Sequence, residues 1–341
     1  MSVIRSPDRC GTARGSPGGP RASCTTAPAV GREAGPAVVE CRERPPGGEI
    51  GRPGEDLPMT TTARRAAHGL VQSPHGAIEY REAGEGPAVL LLHWNSASAA
   101  YFLPVMPLLA PRVRAIAMST MGHGESDRPP EPYTTLHEYA QAAAWLLDGL
   151  GLERVHVVGT HTGAMIATEL AVSWPERVDR LVLEEPFNWN TERRREAHLR
   201  LHEYREPDAE GEFLKQLWRW TRDRVSEEMP GVEPDFRLLR QRFIDKLRLA
   251  DEAPAPYAPM AWEGAGPYAM CHYEMWEAAP RVQAPTLVIH GTESQLGRSH
   301  EKFLDVIPEA RGLRLPSVGN SVPFQHPELW TREVLAFLLG D

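Results

Sequence analysis

Five short apolar runs, each separated from the next by a longer patterned segment, constrain this fold most. AVLLLHW (88–94), VRAIAMS (113–119), RVHVVG (154–159), RLVLEE (180–185) and TLVIHG (286–291) are almost continuous in apolar and β-branched residues. A strand with one wet face would alternate, whereas runs like these suit parallel strands covered on both faces. GLRLP (312–316) reads as one more strand. GLVQS and AIEYREAG, joined by a Pro-His-Gly turn, read as a leading hairpin. Helical patterns fill the intervals. TTLHEYAQAAAWLLDGL (134–150) opens with a capping box, Thr135 and Glu138, and places Tyr139, Ala143, Leu146 and Leu150 on one face. TGAMIATELAVSW and PELWTREVLAFLL are further helices. Strands alternating with helices predict an α/β protein with a mostly parallel, doubly wound sheet.

The alternation stops between residues 187 and 282. That stretch begins charged and helical (TERRREAHLRLHEYRE) and then carries Trp218, Trp220, Trp262, Tyr268, Tyr273 and Trp276. A helical insertion after the sixth strand reads as a lid over the carboxyl edge of the sheet, where open α/β sheets bind ligands. Its aromatic residues either line a pocket or anchor the lid to the core. Residues 1–58 contain no aromatic residue and no structural period. They read as a disordered tail, either a true leader or a stretch ahead of a second start at Met59. The expected layout is a core over 66–186 and 283–341 with a cap over 187–282.

Composition removes several function classes. The formal net charge of −9 lacks the concentrated basic face that a nucleic-acid partner wants. No apolar run approaches the ~20 residues of a membrane span, and no apolar signal-peptide core is seen, so a soluble cytoplasmic protein is expected. Three of the four cysteines, Cys10, Cys24 and Cys41, lie in the tail and leave Cys271 alone, which argues against disulfides or a cysteine metal site. Neither a metal nor a cofactor is expected. A small-molecule substrate or ligand is the expected partner, and the sequence does not state an oligomeric form.

The chemistry centres on GTHTG (159–163), between a β-branched run and a small-residue helix. This is the setting of the G-x-S-x-G turn that presents a nucleophile. With VLLLHWNSAS, MGHGESDRP, APTLVIHGTES and PSVGNSVPFQHPELW in matching order, the chain from about residue 66 onward resembles the α/β-hydrolase superfamily. That resemblance implies a catalytic elbow at 161, an acid at 294 and a histidine at 320. Here those positions hold His161, Ser294 and Asn320, which cannot run the usual serine, histidine and carboxylate relay.

Histidine tolerates the positive φ such a turn demands better than branched residues do. The positive end of the following helix disfavours its imidazolium, leaving a neutral base or nucleophile. A carboxylate would be needed to fix its tautomer. Glu184 and Glu185 end the strand after the elbow helix, where haloalkane-dehalogenase-like members place their acid, and Glu293 adjoins position 294. Strand alternation lets only one of Glu184 and Glu185 face the pocket, with Glu185 favoured. Otherwise both are solvated or cap the first turn of the lid. By resemblance, the backbone N–H groups of Asn95 and Thr162 form an oxyanion hole, and Trp94, replacing the usual glycine, narrows the pocket. His93, His123, His156, His290 and His326 read as structural. Two function classes follow: an enzyme with His161 as base or nucleophile on a small, largely apolar substrate, performing hydrolysis or cofactor-free proton abstraction, or an inactive pseudo-hydrolase that binds a small molecule as sensor or carrier.

Overall fold

The computed structural model describes residues 66–189, 191–192, 196, 208–228, 236–250, 262–317 and 322–340. The readings of residues 1–58, of Asn320 and of most of the charged segment after Asn190 lie outside the described residues. Eight strands form one sheet in the order β1-β2-β4-β3-β5-β6-β7-β8. They are β1 Ala67–Ser73, β2 Gly76–Ala83, β3 Ala88–Leu92, β4 Arg114–Met118, β5 Val155–Thr160, β6 Val178–Glu184, β7 Thr286–Gly291 and β8 Ala310–Leu315. β2 runs antiparallel to β1 and β4, and every other neighbouring pair is parallel.

The apolar runs are continuous because the sheet is buried on both sides, and the strand period sorts their residues. Leu90, Leu92, Ile116, Met118 and Val157 pack on one face, with the helices Leu136–Gly149 and Thr162–Ser173. Val89, Leu91, Ala115, Ala117 and Val158 pack on the other, with the helix Pro327–Leu339 and its fully buried Trp330. The capping box forms as the sequence implies. Thr135 Oγ1 accepts from the Glu138 N–H while the Glu138 carboxylate accepts from the Thr135 N–H. Tyr139, Ala143 and Leu146 are buried, and Leu150 is the C-cap, half-buried against the same core.

A helical lid is inserted after the sixth strand, with helices Glu212–Glu228, Phe236–Ala250 and Trp262–Cys271 before β7. Most of its aromatic residues hold the lid together or tie it down. Trp218 meets Phe243 at 5.5 Å, Trp276 meets Phe303 at 4.7 Å, and the Tyr273 hydroxyl donates to Glu169 at 3.0 Å. No helix among the described residues is long and apolar enough to cross a membrane.

Candidate active site

β5 ends at Thr160 and the next helix begins at Thr162, so the whole turn falls on His161. Its φ of 54° and ψ of −112° lie where side chains cost about 1–3 kcal/mol. Two glycines make so tight a turn possible. A Cβ at Gly159 would stand 2.2 Å from Gly163 O, and one at Gly163 would stand 2.0 Å from Leu92 O. Helix and strands therefore approach closer than any other side chain allows. The His161 N–H donates to Glu184 O at 2.8 Å, which pins the turn to the neighbouring strand.

The imidazole is half-buried among aromatic rings. Phe187 lies 4.3 Å from it and Trp94 6.2 Å, the latter edge-on, while Nδ1 lies 3.3 Å from Thr162 Oγ1. Trp94 thus forms part of the wall beside His161. Phe187 was not anticipated, and its only signal was an aromatic residue just past a strand at the carboxyl edge of the sheet.

The two glutamates have other partners. Thr160 and Glu184 are opposite one another in the β5–β6 register, and the Thr160 hydroxyl donates to Glu184 Oε2. Oε1 of Glu184 is buried with no hydrogen bond. Burial pushes this carboxyl up to about 8, opposed by the Thr160 hydroxyl. Glu185 leaves the strand with φ 51°, so alternation no longer governs where it points. Its Oε1 accepts from the Gly291 N–H and its Oε2 from the Ser294 hydroxyl, both at 2.6 Å. Burial raises Glu185 to about 7, with those two donors opposing. Both glutamates are buried. Among the described residues, neither carboxyl hydrogen-bonds the imidazole. Ser294 meets Glu185, and Glu293 is exposed.

Beside the elbow is a cavity lined by His93, Trp94, Asn95, Thr120, His123, Tyr139, Thr162, Ile166 and Gly266. It has space for roughly one water molecule. Thr162 begins its helix, so its N–H has no partner within it. Among the described residues neither that N–H nor that of Asn95 donates to a protein acceptor. The two residues expected to supply oxyanion donors therefore both line one small cavity.

Of the histidines expected to be structural, His93, His123 and His290 hydrogen-bond the backbone, while the buried His156 leaves Nδ1 without a hydrogen bond among the described residues. His93 Nδ1 donates to Trp94 O at 2.7 Å, and its Nε2 accepts from the Thr120 N–H at 3.1 Å. Burial, then the nearby His123, lowers His93 to about 3, and burial lowers His123 to about 4. His290 Nε2 donates to Pro186 O at 3.1 Å, so its Nδ1 accepts from His300 Nδ1–H at 2.9 Å. His326 precedes the last helix. His68, Glu79 and Glu125 bring ligand atoms within 4.8 Å of one another. His68 Nε2 already meets both carboxylates there, at 3.2 and 3.5 Å.

A mostly parallel sheet, a strained turn after β5 and a lid after β6 agree with a match of residues 87–327 to the α/β-hydrolase fold. The chain belongs to this family. Relatives of this hydrolase-fold chain include the 2-hydroxy-6-oxo-6-(2'-aminophenyl)hexa-2,4-dienoic acid hydrolase of Metapseudomonas resinovorans. It is 29% identical over 280 residues, 77% of this chain and 88% of that one. An uncharacterised protein of Mycobacterium tuberculosis is 36% identical over 132 residues, which span 39% of this chain and 37% of that protein. Among solved structures, a serine hydrolase involved in carbazole degradation superposes with a TM-score of 0.64 at 23% identity, covering 81% of this chain and all of that one.

Proposed function

We propose that this protein is a hydrolase-type enzyme acting on a small organic substrate. His161 is its base or nucleophile, and the N–H groups of Asn95 and Thr162 are its oxyanion hole. One observation carries the reading: an imidazole held at positive φ on the elbow, next to a small cavity lined by Asn95 and Thr162, whose N–H groups meet no protein acceptor among the described residues. Hydrolases among its relatives support the reaction class.

As a base, His161 takes a proton from water while the water oxygen attacks the substrate carbonyl carbon. The carbonyl electron pair moves onto its oxygen, where the two N–H groups donate to it. Collapse of this adduct expels the leaving group, which takes the proton back from the imidazolium. As a nucleophile, the imidazole would attack the carbonyl carbon and expel the leaving group, which takes a proton from water, and the resulting hydroxide oxygen would then attack the acyl-imidazole to release the acid and free the imidazole. The same donors would stabilise an enolate if the reaction were proton abstraction. In this reading Glu184 and Glu185 are positioning residues. Glu184 holds the elbow through Thr160 and through its own carbonyl, and Glu185 ties β6 to the β7 loop. Ser294 serves Glu185, and no relay with Asn320 is invoked.

A second reading, a ligand-binding protein without turnover, is favoured by the engagement of both glutamates away from the imidazole. A screen of p-nitrophenyl esters and lactones with wild type and His161→Ala separates the two. Turnover lost in His161→Ala at unchanged melting temperature supports the enzyme. Equal turnover by both proteins, or none by either, removes the proposed role of His161.

A further inference from the structure

The loop that carries Asn95 is held partly by the core and partly by the lid. Ser96 has a φ of 63°, a left-handed backbone that strains a residue with a Cβ and persists only where its surroundings fix it. The core secures the far end of the loop: the Ala99 N–H donates to Ser119 Oγ at 2.8 Å, and Ala97 packs in the apolar interior. Trp94, Asn95, Ser96 and Ser98 are each met by a lid residue.

Three of these contacts come from one face of the helix Phe236–Ala250. Arg242, Asp245 and Lys246 stand at i, i+3 and i+4, and all three residues are more than nine-tenths buried. The Arg242 guanidinium carbon lies 4.8 Å over the Trp94 ring. Asp245 accepts from the Ser98 hydroxyl, and from Gln241 Nε2 at 3.0 Å. Lys246 Nζ donates to Ser96 Oγ at 3.5 Å, the same oxygen that accepts from Asn95 Nδ2 at 3.2 Å. The fourth contact comes from the helix Trp262–Cys271. Its backbone approaches so near that a Cβ at Gly266 would stand 2.6 Å from Asn95 Oδ1.

Charged side chains are seldom buried unless they are paired, because leaving water costs them much. Covering apolar surface needs only apolar side chains, yet this helix buries an arginine, an aspartate and a lysine where the loop lies. Ser98 passes the contact on, since its Oγ also accepts from the Ala100 N–H and caps the short helix Ala99–Phe102. We propose that Asp245 and Lys246 are positioning residues: docking of their helix holds Ser96 in its strained conformation and thereby holds Asn95 at the cavity beside the elbow. Without that docking the strain at Ser96 relaxes and Asn95 leaves its place. The inference rests on the hydrolase reading for the use made of the Asn95 N–H, but its first test does not need turnover.

That test is amide hydrogen exchange of the full chain. The reporters are the N–H groups of Ala97, Ala100 and Tyr101, which donate to Trp94 O, Ser98 Oγ and Ser98 O. Asp245→Leu with Lys246→Met removes both charges together, so that neither is left buried without the other. In this double variant the three amides should exchange at least ~10-fold faster while those of β3 and β5 keep their wild-type rates. Lys246→Arg keeps a cationic donor opposite Ser96 and should stay within about twofold of wild type. If the double variant does not fold, Lys246→Met alone is read by the same criterion. Unchanged rates at the three amides, or a rise shared equally by β3 and β5, overturns the proposal. On any ester or lactone that the protein turns over, Lys246→Met should lower kcat with little change in KM, because an oxyanion donor acts in the transition state. A raised KM at unchanged kcat overturns the proposal as well. A chain that hydrolyses no ester yet shows the selective exchange would sink the hydrolase reading and leave the coupling of lid and loop standing.

Discussion

Replacing Glu184 by glutamine tests whether the elbow rests on a neutral carboxyl. Burial raises this group from its ordinary 4.5 to about 8. The folded state therefore keeps the proton over a range in which the unfolded chain has lost it. The favourable contribution is fully present below about pH 4.5 and is lost as pH rises toward about 8. At pH 7 the interval above 4.5 is about 2.5 pH units, each worth ~1.36 kcal/mol, so the titrating glutamate costs the fold about 3 kcal/mol relative to acid conditions. Glutamine does not titrate. It keeps an oxygen to accept from the Thr160 hydroxyl and places its amide nitrogen where the acid proton would sit. Urea unfolding of wild type and Glu184→Gln, followed by circular dichroism at about pH 5 and about pH 7, gives the stability difference at each pH. Any constant effect of the substitution cancels between the two conditions. The variant should gain about 2–3 kcal/mol on wild type between them. A difference that does not change with pH, or that moves against the variant as pH rises, would show an ionised Glu184 and refute the reasoning.

Two further outcomes follow from the same geometry. Gly163→Ala sets a Cβ 2.0 Å from the Leu92 carbonyl oxygen, a backbone atom that cannot swing away. It should cost at least ~3 kcal/mol and lower the melting temperature by roughly 5–10 °C. Gly151→Ala, with open space around it and only its φ of +66° to penalise, should cost about 1 kcal/mol; equal melting temperatures for the two variants would contradict this. On acidification, His93, His123 and His290 stay neutral in the fold, lowered to about 3, 4 and 3, so stability falls once the unfolded histidines protonate below about pH 6.5. Glu184 and Glu185 oppose that fall until about pH 4.5, and Asp245, raised by burial to about 6, opposes it from about pH 6 to about 3.8, so below about pH 4.5 the net slope steepens to about 3 kcal/mol per pH unit. An acid titration followed by circular dichroism should therefore be shallow from about pH 6.5 to 5 and steep below, and a uniform decline from pH 6.5 would count against it.

The sequence disclosed the elements whose causes are local. Apolar runs, a capping box and a glycine pair each depend on a few neighbouring residues, and each appears in the structure where those residues stand. The glutamates show where this reasoning stops. Alternation describes a residue only while the chain remains a strand, and Glu185 has already turned to φ 51°. Its partners Gly291 and Ser294 lie more than a hundred residues away, so no local pattern could announce them.

Taken together, these features separate the elbow as scaffold from the elbow as chemistry. Gly159, Gly163 and the His161–Glu184 backbone bond make the turn without using any side chain at position 161. The two N–H donors at the cavity are backbone groups as well. A change at position 161 therefore leaves both the turn and the proposed oxyanion donors standing, and only the proposed reacting group is exchanged. An imidazole in place of a hydroxyl needs no separate base to become reactive near neutral pH. This relaxes the demand for an acid and a second histidine at positions 294 and 320. On this argument serine and asparagine there are consequences of the change at 161, and restoring the usual residues at those two positions alone, as Ser294→Asp with Asn320→His, should not raise turnover while His161 remains.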